Sequence, residues 1–126
     1  PFGNQMVLAR IDGAMLRALI EDRLAGRGGG LFISGGRVRY DPSRPDGQRL
    51  VEFSIGGAPI DTARIYRVAM TDYLAEGNSG LGRLRSLPQE AFLPAGITDR
   101  QALSSYIRRH RVLEPRNDGR WTQVPR

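Results

Sequence analysis

The stretch Ile65-Tyr66-Arg67-Val68-Ala69-Met70-Thr71-Asp72-Tyr73-Leu74-Ala75-Glu76-Gly77-Asn78-Ser79-Gly80 decides how the chain is read. Its first six residues alternate, with Tyr66, Val68 and Met70 on one face and Arg67 between them, the period of a strand. Strand character ends at Thr71-Asp72, an aromatic ring follows at Tyr73, and then comes a polar loop containing Gly77 and Gly80. A rigid strand that delivers a ring and a glycine-bearing loop is a way to build a ligand wall. A buried tyrosine followed by a surface turn is the plainer reading of the same residues.

Upstream, Gln5 to Ile11 alternates as a first strand, with Val7, Ala9 and Ile11 on one face and Met6 and Leu8 on the other. This pattern predicts cover on both faces. Asp12 is placed to cap a helix in which Met15, Leu16, Leu19, Ile20 and Leu24 recur at three- and four-residue spacing. Gly26 is placed to end it. Gly28-Gly29-Gly30, Leu31-Phe32-Ile33 and Gly35-Gly36 lack the lysine and the strand-loop-helix order of a P-loop, so they read as turn chemistry.

Arg37 to Tyr40 and Arg49 to Ile55 read as strands. Pro45-Asp46-Gly47 suits a tight turn in which proline presets the first central torsion. Gly56-Gly57 suits a two-residue hairpin. The segment from Leu84 to Gly96, with Pro88 and Pro94, reads as irregular. Thr98 and Gln101 make a capping box ahead of a helix running to about His110, with Ala102, Leu103, Tyr106 and Ile107 as its apolar stripe. The tail from Leu113 to Arg126, with the single tryptophan Trp121, is expected to cross the surface. These elements give an α+β fold, a mixed β-sheet with packed helices.

The chain has 126 residues, sufficient for one domain with a core. Hydrophobic residues make up 40% and charged residues 25%, ordinary for a globular protein. No apolar run is long enough to span a bilayer as a helix. With no cysteine, disulfides and thiolate metal sites are excluded. The formal charge is +6, and all 19 basic residues are arginine. That surplus favours anions, but the arginines are scattered and not interleaved with aromatics along one element. A nucleic-acid partner is therefore not expected. His110, the only histidine, lies between arginines at a helix end, where solvation or C-capping is expected. Ser104-Ser105 have no neighbouring base, and no acidic pair has metal-ligand spacing on one element apart from Glu21-Asp22, on the polar side of a helix. No catalytic or metal residue is assigned.

Several segments, in order along nearly the whole chain, resemble the C-terminal domain of the 5'-nucleotidase family of metallophosphoesterases, which includes UDP-sugar hydrolases and 2',3'-cyclic-nucleotide phosphodiesterases. They are Pro1-Phe2-Gly3-Asn4 with Asp12-Gly13-Ala14; Ser34-Gly35-Gly36-Arg37-Val38-Arg39-Tyr40-Asp41-Pro42-Ser43-Arg44-Pro45; Tyr66-Arg67-Val68-Ala69 with Asp72-Tyr73-Leu74-Ala75-Glu76-Gly77; and Thr98-Asp99 with Tyr106-Ile107. The resemblance implies one domain over residues 1–126, cut short at its N-terminal end, because the Asn-Gly-Gly-Gly-Ile-Arg segment of the family does not precede Pro1.

It further implies a nucleotide or nucleoside-like small molecule as partner. Divalent metal ions and the phosphoryl chemistry would lie in an N-terminal metallophosphoesterase domain of the same polypeptide, at a periplasmic, secreted or cell-surface location. By motif, Phe2 and Tyr73 match the rings between which the family stacks a base, and Asn4 is placed to add a polar contact to the base edge. Gly77, Ser79 and Gly80 complete the implied substrate-binding set. The family usually has Gly-Asp-Gly-Phe/Tyr where this chain has Asn78-Ser79-Gly80-Leu81. The missing acid commonly accepts bonds from ribose hydroxyls, and a serine cannot replace a charged pair of acceptors. A non-catalytic interaction domain of the same fold, with a degraded ligand site, is thus the alternative.

Overall fold

A computed structural model describes residues 3–26, 30–110 and 118–125. Two compact units are distinguished: Pro1–Ile11 with Tyr66–Arg116, and Asp12–Ile65 with Asn117–Arg126. Each carries its own sheet, so the single mixed sheet expected from the sequence resolves into two.

The first unit holds a three-stranded sheet in the order β5-β1-β6, formed by Gln5–Asp12 (β1), Ile65–Thr71 (β5) and Phe92–Thr98 (β6). Ala9 and Ile11 of β1 are fully buried, whereas Leu8 on the other face is partly exposed, so cover is one-sided there. β6 begins inside the segment expected to be irregular and runs past its end to Thr98. It pairs antiparallel with β1, with Pro94 opposite Val7 and Leu93 opposite Leu8. An edge position tolerates a residue that cannot donate a ladder bond, and β6 is at the edge. The pairing shifts between Gln5 and Val7, opposite Gly96 at φ 78, where only glycine is unstrained.

Helix α3 (Asp99–His110) follows directly. The capping box forms in both directions: Gln101 N–H donates to Thr98 Oγ1 at 3.1 Å, and Thr98 N–H donates to Gln101 Oε1 at 2.8 Å. At the other end the His110 ring stacks on Tyr106, centroids 3.9 Å apart, with Nδ1 at 2.9 Å from the Tyr106 carbonyl. The apolar stripe is present, but Leu103, Tyr106 and Ile107 remain exposed.

The second unit opens with α1 (Gly13–Leu24), capped by Asp12, whose Oδ1 accepts from Met15 N–H at 2.7 Å. Leu16, Leu19, Ile20 and Leu24 are buried, as the three- and four-residue spacing requires. Its sheet has the order β4-β3-β2-β7, from Gly36–Tyr40 (β2), Leu50–Ile55 (β3), Ala58–Pro59 (β4) and Trp121–Gln123 (β7). Gly56 and Gly57, at φ 60 and 82, make the two-residue turn between β3 and β4. Two positive torsions in succession are what a type I′ hairpin demands.

Two expectations are corrected in this unit. The turn near Pro45 closes from Gln48 N–H to the Pro45 carbonyl at 3.0 Å. Proline is therefore its first residue, and Gly47, at φ 83, supplies the special central torsion. The tail also does more than cross the surface. β7 pairs parallel with β2, making this sheet mixed, and the Trp121 ring lies 6.2 Å from that of Tyr40. Residues 113–117 and 126 of that tail, and Gly28-Gly29 of the glycine run, lie outside the described residues.

Arg49 ties α1 to its sheet. Its Nη1 donates to the carbonyls of Leu24 and Gly26, both at 2.7 Å, while Glu21 accepts from the N–H groups of Arg49 and Leu50 at 3.1 and 2.7 Å. The Leu24 contact occupies a carbonyl that the helix end leaves unpaired.

Candidate functional site

Thr71 ends β5, as expected, and caps a single helical turn, α2 (Asp72–Ala75), which carries Tyr73 ahead of the loop with Gly77 and Gly80. Thr71 Oγ1 accepts from Leu74 N–H at 3.4 Å, and the Asp72 carbonyl accepts from Glu76 N–H at 3.0 Å. The turn fixes the backbone of Tyr73 while leaving its side chain outside: Tyr73 is 51% exposed. It is not a core tyrosine.

The loop after α2 is tightly built for its composition. Gly77 sits at φ 92, Ser79 at φ 57 and Gly80 at φ 81. Ser79 is the only non-glycine described residue with positive φ, a conformation that costs an L-residue about 1–2 kcal/mol. Asn78 Nδ2 donates back to the Tyr73 carbonyl at 2.7 Å, closing the loop onto the ring-bearing residue. Leu81 and Leu84 are buried just beyond and tether the far side. Between them begins a short 3-10 helix, Gly82–Ser86, from which Arg85 reaches back. Arg85 Nε donates to the Glu76 carbonyl at 3.1 Å and Nη2 to the Gly77 carbonyl at 3.3 Å.

Of the residues selected from the sequence, Tyr73, Gly77, Ser79 and Gly80 are brought together on this one loop. Asn4 belongs to the same unit, and its carbonyl accepts from Asp99 N–H at 2.8 Å, fastening the start of β1 to the start of α3. Phe2, the other half of the expected ring pair, lies outside the described residues. Arg85 escaped the sequence reading because nothing in an isolated arginine twelve residues past Tyr73 signals a carbonyl partner.

The second unit carries a separate open cleft of about 350 Å³ lined by Ser34, Gly35, Gly36, Arg37 and Arg120 among others. Its arginines serve the local frame. Arg37 Nη1 donates to the Asp118 carbonyl at 2.7 Å, and Arg120 Nε reaches the Asp118 carboxylate at 2.8 Å. The Arg120 hydrogen bond holds Asp118 below the usual carboxylate value of 3.8, outweighing an opposing desolvation effect, and the Arg120 and Arg37 charges add lesser contributions in the same direction. Among the described residues no three His, Cys, Asp or Glu side chains gather as a metal site. No helix of the described residues is long and apolar enough to cross a membrane.

Residues 1–85 match the model of the 5'-nucleotidase C-terminal domain, and the chain belongs to that family. It is 31% identical over 132 aligned residues to a 5'-nucleotidase of Diplobatis ommata, covering 95% of this chain and 22% of the relative. It is 33% identical over 135 residues to a probable 5'-nucleotidase of Treponema pallidum, covering 94% of this chain and again 22% of the relative. Superposed on the crystal structure of the 5'-nucleotidase precursor of Thermus thermophilus, it gives a TM-score of 0.88 at 28% identity, over 100% of this chain and 26% of that one. The chain thus spans about a fifth of the length of the curated relatives it matches.

Proposed function

We propose that this chain is the substrate-binding and specificity domain of a 5'-nucleotidase-like metallophosphoesterase, taking a nucleotide or nucleoside through Tyr73 and the loop to Gly80. The observation that carries this reading is the exposed Tyr73 ring at the end of β5, closed onto its loop by Asn78. A ring held this way offers a π-face to any base, and stacking is sequence-tolerant because every base has one. Phe2, by motif, supplies the opposing ring, and Asn4, Gly77, Ser79 and Gly80 line the remainder.

Hydrolysis of the phosphate ester belongs, in this reading, to an N-terminal domain of the same polypeptide, with its divalent metal ions. Bound metals there would activate water and offset charge on the phosphoryl group. This chain's residues bind and orient the base. The polypeptide is exported to a periplasmic, secreted or cell-surface location in the same proposal. Its domain is one unit of function over residues 1–126.

Ser79 favours a second reading, a non-catalytic interaction domain of the same fold. A serine hydroxyl cannot supply the two charged acceptors that a carboxylate offers a sugar diol. Titrating the isotope-labelled chain with adenosine separates the two. Saturable shifts confined to Tyr73–Leu81 and the start of β1 support the nucleoside site, and their absence supports the interaction domain.

A further inference from the structure

We infer that Arg85 is the positioning residue of the Tyr73–Gly80 loop, a side chain that touches no ligand but sets the geometry of those that would. Its effect on ligand affinity rests on the base-binding role proposed for this loop; its effect on loop geometry does not.

The carbonyls of Glu76 and Gly77 lie just past the end of α2, where no further helical turn donates to them. Arg85 does so from outside, with Nε on Glu76 and Nη2 on Gly77, at 3.1 and 3.3 Å. A guanidinium presents its donors in a planar fork, so two adjacent carbonyls held by one group are fixed in relative orientation as well as place. A cation at a helix C-terminus is also favoured by the peptide dipoles.

The stem of Arg85 makes the contact specific. A Cβ added to Gly77 would lie 2.9 Å from both Cγ and Nε of Arg85, so the arginine lies directly over the bare α-carbon. Gly77 is therefore required twice, for its φ of 92 and for its lack of a side chain beneath Arg85. The arginine is itself held in place, since Leu84 before it is 1% exposed and Leu81 is 6% exposed. The loop is then closed from both ends, by Asn78 onto Tyr73 and by Arg85 onto Glu76 and Gly77. A solvated arginine would need neither the paired carbonyls nor the glycine.

Hydrogen exchange on the full chain, with adenosine as the ligand probe, tests this. The reporters are the amides of Gly77 and Leu81, which donate to the carbonyls of Leu74 and Asn78. In Arg85→Ala their exchange should quicken by about tenfold while protected amides of β1 and β5 hold their rates. Adenosine affinity should fall by a similar factor, roughly tenfold, as the loop must be ordered on binding. Arg85→Lys, with one point-like donor group, should recover part of both effects. Leu84→Ala serves as the contrast, because losing a core side chain should raise exchange throughout the unit. Unchanged exchange at Gly77 and Leu81 in Arg85→Ala would overturn the inference, and so would a uniform rise like that of Leu84→Ala. If the unsubstituted chain shows no adenosine-dependent shifts, the nucleoside reading falls, and the exchange rates alone decide the role of Arg85.

Discussion

Gly13 lies so close to the backbone of Asp61 that a Cβ on Gly13 would overlap the Asp61 carbonyl. The approach is held by Gly13 N–H on the Arg64 carbonyl at 2.9 Å and by Ala14 N–H on the Thr62 carbonyl at 3.1 Å. The first turn of α1 thereby finds backbone acceptors for donors that helices leave unpaired. Replacing Gly13 with Ala must displace backbone rather than a flexible side chain. The expected loss is about 1–3 kcal/mol, the range for overpacking, and is larger if both hydrogen bonds break. Urea denaturation of the variant checks it; an unchanged midpoint would mean the two segments separate without cost.

Ser79→Gly sets two effects against each other. Glycine relieves the roughly 1–2 kcal/mol cost of a left-handed L-residue, but the freer unfolded chain takes back about 0.4–1 kcal/mol. Of these two backbone effects the relief is the larger, so the backbone alone favours glycine by a small margin. Ser79→Val, β-branched and less able to adopt φ 57, should lose stability. The same denaturation assay reads both, and a destabilised glycine variant would argue for a hydroxyl contact that outweighs the strain.

Much of this fold is legible in the amino-acid order alone. Asp12, the pair Thr98 and Gln101, and Gly56-Gly57 all act within four residues, and local chemistry of that kind survives in sequence. What could not be read depends on partners distant in the chain. Pro94 and Gly96 break the alternation that would mark β6, and only pairing with β1 makes the segment a strand. Trp121 belongs to a parallel pairing with Val38 that no local pattern encodes. The site divides in the same way. Tyr73 and its glycines are contiguous and visible, whereas Arg85 acts through two carbonyls at eight and nine residues' distance.

The Asp118 carboxyl makes the second unit acid-sensitive. Its folded value is depressed by the Arg120 hydrogen bond, so its contribution is present above the unfolded value and is lost as pH falls through the folded one. Below the usual carboxylate value of 3.8, protonation should progressively loosen the Arg120 contact beside β7. Trp121 is the sole tryptophan and lies in β7, so its emission reports the change. Asp118→Asn should remove this acid transition, and a transition that persists unchanged would assign it to another carboxyl.

The purified chain should release no phosphate from AMP with magnesium, manganese or zinc present. Metal-assisted hydrolysis needs a ligand cluster to hold the ion against the phosphoryl group, and none gathers among the described residues. Metal-dependent phosphate release that scales with chain concentration and survives repurification would refute the division of labour proposed here.

Tyr73→Ala tests the nucleoside site itself, in the full-length polypeptide that carries this domain. Tyr73 is half exposed and its side chain bears little of the core, so the variant should fold with a stability close to that of its parent. Its backbone contacts, the carbonyl accepting from Asn78 Nδ2 and the turn capped by Thr71, do not depend on the ring. Stacking on an aromatic side chain is worth about 1–3 kcal/mol per base, which corresponds to roughly a 5- to 150-fold change in affinity. In the proposed role the ring meets the base, which does not change between substrate and transition state. The lost energy is therefore common to both, and KM should rise while kcat changes little. Tyr73→Phe keeps the π-face and should keep the parent KM. A rise in KM for AMP that is absent with p-nitrophenyl phosphate, which carries no base, would assign the effect to base recognition. If Tyr73→Ala leaves the KM for AMP unchanged, Tyr73 does not hold the base, and the interaction-domain reading takes its place.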